Sequence, residues 1–316
     1  MESMFSGLTK LESLNLKSFN TKKLKNIKNM FSGNNNLLNL ETGNDFVISG
    51  VTDLSGLFNE CQNLPKIDII FTDTSEVTNL SHMFNQCIKL TSIDLSKLDT
   101  SKVKDMSYIF SSCFQLEKID VSKFDTSNLE DMNNLFSTCS SIKELNIKNF
   151  NTAKVKNMDS LFYLCRSLTS LDLSSFDTSQ VTNMHEMFGL CDNIKELDLS
   201  TFKTSNVIDM SHMFAGMPRL ASVNLSSFDT KNVITLKYMF YNTYSLLSID
   251  LSSFKTSNVE DISNMFYGCS SLSEIDLSNF DTSKVTTMIG MFIGCKNLVY
   301  IDIRNFSYES ILQDSN

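Results

Sequence analysis

The amino-acid sequence predicts an α/β repeat solenoid. It should have about eleven 26-residue units, each with one parallel strand, a turn and a short helix or 3-10 segment. Three observations carry the prediction. "LTSLDLSSFDTSQVTNMHEMFGLC" at 168–191 is followed, 26 residues on, by "IKELDLSTFKTSNVIDMSHMFAGM" and preceded, 26 residues back, by "IKELNIKNFNTAKVKNMDSLFYLC". A fixed period of this length is the mark of a stacked-repeat architecture. Within each unit the apolar residues recur at fixed offsets. Only two prolines and ten glycines occur, too few for linkers or low-complexity segments. A chain of 316 residues suggests two domains by length. The repeat replaces that expectation with a single solenoid over 1–316, because a solenoid grows by adding units rather than by closing one core.

The units begin at Leu11, Leu37, Leu64, Leu90, Leu116, Ile142, Leu168, Ile194, Leu220, Leu246, Leu272 and Leu298. Eleven are full units, spanning about 11–297, with incomplete units at both ends. The irregular unit, 37–63, carries a one-residue insertion and lacks the DLS and DTS signatures, so a bulge is expected near 42–50. Leu168, Leu171 and Leu173 follow the LxxLxL spacing of a leucine-rich-repeat strand. Alternation there turns Leu171 and Leu173 inward and Asp172 outward. "DTSQ" at 177–180 is turn chemistry. Val181, Met184 and Phe188 then step by three and four, a spacing that suits a helical or 3-10 turn. Of 24 phenylalanines, 21 fall in two columns of this register; Phe46, Phe71 and Phe114 do not.

The eight cysteines, Cys61, Cys87, Cys113, Cys139, Cys165, Cys191, Cys269 and Cys295, share one column. Rungs about 4.8 Å apart are spaced too widely for a disulfide ladder, whose Cβ atoms sit ~3.8 Å apart. Buried, reduced thiols acting as small hydrophobes are the expectation. Zinc lacks support, because no CxxC pair occurs and no histidine column runs beside the thiols.

Two sets of residues are candidates for recognition. One is an outward acidic column on the strands: Asp68, Asp94, Asp120, Asp172, Asp198, Asp250, Asp276 and Asp302. Its aspartates either bond to the following serine and local backbone or receive cations or a basic patch on a partner. The other lies where the repeat breaks its own rule, with Tyr238, Tyr241, Tyr244 and Tyr267 crowded together. Tyr241 and Tyr267 are one period apart and so could stack. Neutral drift within a tolerant repeat competes with a recognition site there. A threonine column, Thr74 to Thr282, admits an ice-face reading but is better explained by turn capping.

Composition excludes other classes. A net charge of −9 argues against nucleic acid. No stretch reaches the ~18 apolar residues of a membrane span, so no membrane insertion is expected. His82, His185 and His212 are expected to be exposed and unpaired. No nucleophile elbow, phosphate loop or zinc motif is present, so the chain is read as a non-enzyme without cofactor, catalytic residues or bound metal. The start, "MESMFSGLTK", shows no signal peptide and reads as mid-repeat, as expected of an excised or processed array.

The unit LxxLDLSxFDTSxVxxMxxMFxxC resembles the repeat of the BspA-like bacterial surface proteins, in the form found in mycoplasmas and lactobacilli. In one unit the residues carrying the match are Leu168, Leu171, Asp172, Leu173, Ser174, Phe176, Asp177, Thr178, Ser179, Val181, Met184, Met187, Phe188 and Cys191. The resemblance covers about 4–306 and implies a leucine-rich-repeat solenoid at the cell surface, or secreted. It also implies adhesion or protein or glycan recognition. The partner would be a host matrix or cell-surface protein or glycan, or another microbial surface. A spacer or stalk presenting another domain is the alternative.

Overall fold

The computed structural model describes residues 1–307. The chain divides into two compact units: Met1–Lys154 with Leu164–Leu168, and Val155–Tyr163 with the described residues from Thr169 onward. Both are β-solenoids with one turn per repeat. The sheet segments are short. In the first unit β1 (Ser13–Leu16) pairs with β2 (Asn39–Thr42), and β3 (Val47–Ser49) with β4 (Ile70–Asp73). In the second, β5 (Glu196–Asp198) pairs with β6 (Ser222–Asn224), and β7 (Glu274–Asp276) with β8 (Tyr300–Asp302). All four pairs are parallel. The expected bulge is present: the β3–β4 register shifts between Ile48 and Ser49. The inserted residue lies ahead of Phe46, which therefore reaches the core at 3% exposure and packs on Phe31 at 6.3 Å.

The expected short helices are absent from the described residues; consecutive tight turns take their place. The reason is visible in one rung. Met187 N–H bonds to Met184 O (3.3 Å), Gly189 N–H to Glu186 O (3.0 Å) and Cys191 N–H to Phe188 O (3.2 Å). Alternate amides leave the rung altogether. Those of Met184, Glu186, Phe188 and Leu190 donate to Asp209, Ser211, Met213 and Ala215 on the next rung, at 2.8–3.0 Å. Glu186 and Leu190 have φ of +52° and +58°, each at the third position of a four-residue turn, where a type II turn requires positive φ. The three-and-four spacing therefore comes from two successive turns that bring their corners inward. A helix would have kept those amides for itself.

The left-handed positions form two columns. One runs through Asn29, Gly56, His82, Tyr108 and Asn134 in the first unit, and through Glu186, His212, Tyr238 and Asn264 in the second. The other includes Thr138, Leu164 and Leu190, side chains that disfavour this conformation. Inter-rung bonding and the core hold them there. Met184, Met187 and Phe188 are fully buried. Phenylalanine rings stack rung on rung, with Phe84–Phe110 at 5.9 Å and Phe188–Phe214 at 5.8 Å, within 9° and 3° of parallel. Truncating one such ring costs about 3–5 kcal/mol.

Candidate functional site

Three of the repeated signatures turn out to build the rung itself. In the acidic column, Asp120 Oδ1 accepts from Ser122 N (2.9 Å) and Ser122 Oγ (2.6 Å). Asp94, Asp198, Asp250 and Asp276 accept from the amides of Ser96, Ser200, Ser252 and Ser278 at 2.8–3.0 Å. Asp172 holds Ser174 in the same way, whereas Asp68 pairs with Lys66 (2.7 Å) and Asp302 lies under the guanidinium of Arg304. The serine bonds hold the Asp120, Asp198 and Asp276 carboxyls below their ordinary range. The same side-chain turn recurs at Asp99, Asp125 and Asp177, and again at Asp105, Asp209 and Asp261. Among the described residues no group of three or more His, Cys, Asp or Glu is placed to hold a metal ion.

The threonine column is internal. Thr178 Oγ1 donates to Lys203 O (3.0 Å) and accepts from Lys203 N (2.7 Å), stapling one rung to the next. Thr178 and Thr230 are fully buried, so this column cannot present an ice-binding face. The cysteines are unpaired. Seven are buried and Cys295 is half-buried. Each of Cys87, Cys113, Cys139 and Cys165 sends its Sγ to the carbonyl 29 residues back, at 3.1–3.3 Å. Thr243, in the same column, makes the equivalent bond to Phe214 O at 3.0 Å. Burial pushes the Cys113 and Cys165 thiols up to about 12.

What these columns leave over is a row of rings in the second unit. Tyr241 and Tyr267 stack at 5.0 Å and 23°. Tyr238 meets Tyr241 edge-on at 5.1 Å, and His212 stacks on Tyr238 at 4.7 Å. His185 meets the His212 ring at 5.6 Å and 70°, and its Nδ1 lies 2.9 Å from Asp159 Oδ1. Lys237 Nζ is 5.3 Å from the centre of the Tyr238 ring. The row is half-buried throughout. Three of the four tyrosines expected at this place are thus brought together. Tyr244 is 45% exposed, one residue beyond the buried Thr243.

The histidines correct the sequence expectation. They are half-buried rather than exposed, and His185 and His212 are neighbours on successive rungs. His82 likewise stacks on Tyr108 at 4.6 Å. The signal was available: His82 to Tyr108 and His212 to Tyr238 are both steps of one period. The hydrogen bond to Asp159 raises the affinity of His185 for its proton. Burial, with His185 and Lys237 beside it, lowers that of His212. Burial raises the carboxyl of Glu186 above its ordinary range.

A leucine column, short parallel strand segments that pair one period apart on some rungs, and amide ladders between turns define a leucine-rich-repeat solenoid. The chain belongs to the family described as "Mycoplasma protein of unknown function, DUF285", whose model matches residues 1–47, 34–145, 115–218 and 190–306. Solved structures are similar to this chain. A leucine-rich repeat protein from Bacteroides ovatus is 14% identical with a TM-score of 0.50, over 100% of this chain and 85% of that one. A leucine rich cell surface protein from Faecalibacterium prausnitzii is 17% identical with a TM-score of 0.41, over 95% and 75%. A leucine-rich repeat protein from Eubacterium ventriosum is 15% identical with a TM-score of 0.40, over 87% and 85%. No curated protein matches the sequence. The family match bears out the resemblance to BspA-like repeat proteins. Among the described residues no helix is long and apolar enough to cross a membrane.

Proposed function

We propose that this chain is a non-enzymatic recognition module displayed at a bacterial surface, and that it adheres to a protein or glycan of a host matrix, a host cell or another microbe. Surface display rests on the resemblance to BspA-like proteins. Recognition rests on one observation, the continuous row of rings from His185 to Tyr267. The Asp, Thr, Cys and Phe columns each do a stated structural job, and the tyrosines do none that the repeat requires. The column of Tyr241 and Tyr267 holds Tyr163, Gly189 and Ala215 on other rungs of the same unit. Half-exposed tyrosine offers a partner a large, rigid contact with a polar tip. Tyr238, Tyr241 and Tyr267 form the contact surface in this reading, with Tyr244 at its margin.

A screen of the chain against matrix proteins and glycans tests the reading, followed by the double change Tyr241→Ala and Tyr267→Ala. Because Ala215 already occupies this column, the variant should fold with an unchanged circular dichroism spectrum. Its affinity should fall by about 2 kcal/mol or more, the loss typical of a central aromatic contact. Unchanged affinity for every partner found would remove the row of rings from the binding surface.

A further inference from the structure

The histidine end of the row carries charge as well as ring surface, and its surroundings differ from one imidazole to the next. His185 has Asp159 Oδ1 at 2.9 Å on the rung before and Glu186 Oε1 at 4.0 Å beside it, with Asp209 also acting on it. His212 faces His185 on one side and the Tyr238 ring on the other, with Lys237 and Asp209 nearby. Three carboxylates thus surround the first imidazole, and two cationic groups flank the second.

Resting on the reading of this row as the recognition surface, we propose that the contact chain Asp159–His185–His212–Tyr238 is a proton-operated catch. With His212 neutral, its ring stacks on Tyr238 and the row is continuous. With both imidazoles charged, like charges on adjacent rungs drive His212 off Tyr238 and open the row at its centre. The directions of the proton affinities agree: the hydrogen bond to Asp159 raises that of His185, and burial, with His185 beside it, lowers that of His212. The catch therefore operates on the acid side of the ordinary imidazole value of about 6.5. His82 is the internal comparison. It occupies the same left-handed position and stacks on Tyr108, with a tyrosine rather than an imidazole as its ring neighbour.

The test is nuclear magnetic resonance on the full chain, following the histidine rings between about pH 5 and 8, the range in which imidazole titrates. Ring-to-ring Overhauser contacts are recorded at each pH. His185 should titrate above about 6.5 and His212 below it. The His212–Tyr238 contact should vanish with the titration of His212, while His82–Tyr108 persists. In His185→Gln the His212 titration should rise toward about 6.5, and its contact with Tyr238 should survive acidification. That column holds Ser211 and Lys237 on other rungs, so glutamine is accommodated. A His212–Tyr238 contact that persists in acid overturns the catch, as does one lost identically in His185→Gln. Neither result depends on any ligand. Failure of the Tyr241→Ala and Tyr267→Ala test would instead overturn the recognition reading and leave these titrations as they are.

Discussion

At the level of single residues, the repeat spends its polar side chains on backbone groups that stacking would otherwise strand. Thr178 is the clearest case, since one hydroxyl serves both the N–H and the C=O of Lys203. Thr178→Val keeps the volume and removes both bonds. It should cost about 2–4 kcal/mol, because each stranded backbone group costs about 1–3 kcal/mol. Thr178→Ser keeps the hydroxyl and should lose only about 0.8 kcal/mol for one methyl. Urea denaturation of the two variants distinguishes a hydrogen-bonded staple from simple packing: equal losses would refute the staple. The cysteines make a parallel prediction. With their thiols buried and held far above the reactive range, alkylation near pH 8 should label Cys295 and leave the other seven intact until the chain unfolds. Rapid native labelling of Cys113 or Cys139 would contradict the inward column. The column itself was readable because eight identical residues recur at one offset. That the sulfur of each reaches a backbone carbonyl was not, since spacing says nothing of the acceptor.

At the level of the element, strand and corner differ in how legible they were. The LxxLxL strand is borne out where β1, β2, β5, β6, β7 and β8 form, while other rungs keep only the extended backbone, and the bulge in the irregular unit follows from its inserted residue. From Met184 to Cys191, inward residues at spacings of three and four satisfy a helical or 3-10 turn and a pair of tight turns equally. Nothing in Leu164, Leu190 or Thr138 announces positive φ, and the bonds that impose it come from the next rung. In sequence the acidic column is compatible with turn formation and with ligand capture; in the structure its aspartates accept from the serine two residues on. This carries a pH consequence. The carboxyls of Asp120, Asp198 and Asp276 bind their protons less readily in the fold than the unfolded value of about 3.9. Their contribution is therefore complete above that value and is lost as pH falls through the lower folded value. The contribution of these three aspartates should be level from neutrality to about pH 5 and decline below about pH 4. Because no metal cluster is found among the described residues, millimolar calcium should leave the melting temperature unchanged. A rise with calcium would reinstate the acidic column as a cation site.

At the level of the whole molecule, stability comes from repetition. Each rung buries its leucine, methionine and phenylalanine against the rungs beside it, so energy accumulates as rung terms plus interface terms. The prediction is one of arithmetic. Removing 272–297 deletes one complete 26-residue unit and brings Leu298 into the place of Leu272. Every inward column is then continuous again: the phenylalanines lose one ring from each stack, and the amide ladder closes one rung sooner. The shortened chain should keep its circular dichroism signature and melt cooperatively, a few degrees lower. Removing 272–296 instead deletes one residue fewer and leaves Leu298 displaced by a single position from the place of Leu272. In a strand that displacement exchanges the two faces, so the apolar–polar alternation at 301–303 would fall out of register with the rung before it. This second deletion should melt broadly and expose apolar surface to a hydrophobic dye. Equal behaviour of the two would mean that the 26-residue period does not govern the stacking; a clean difference ties stability to register rather than to chain length.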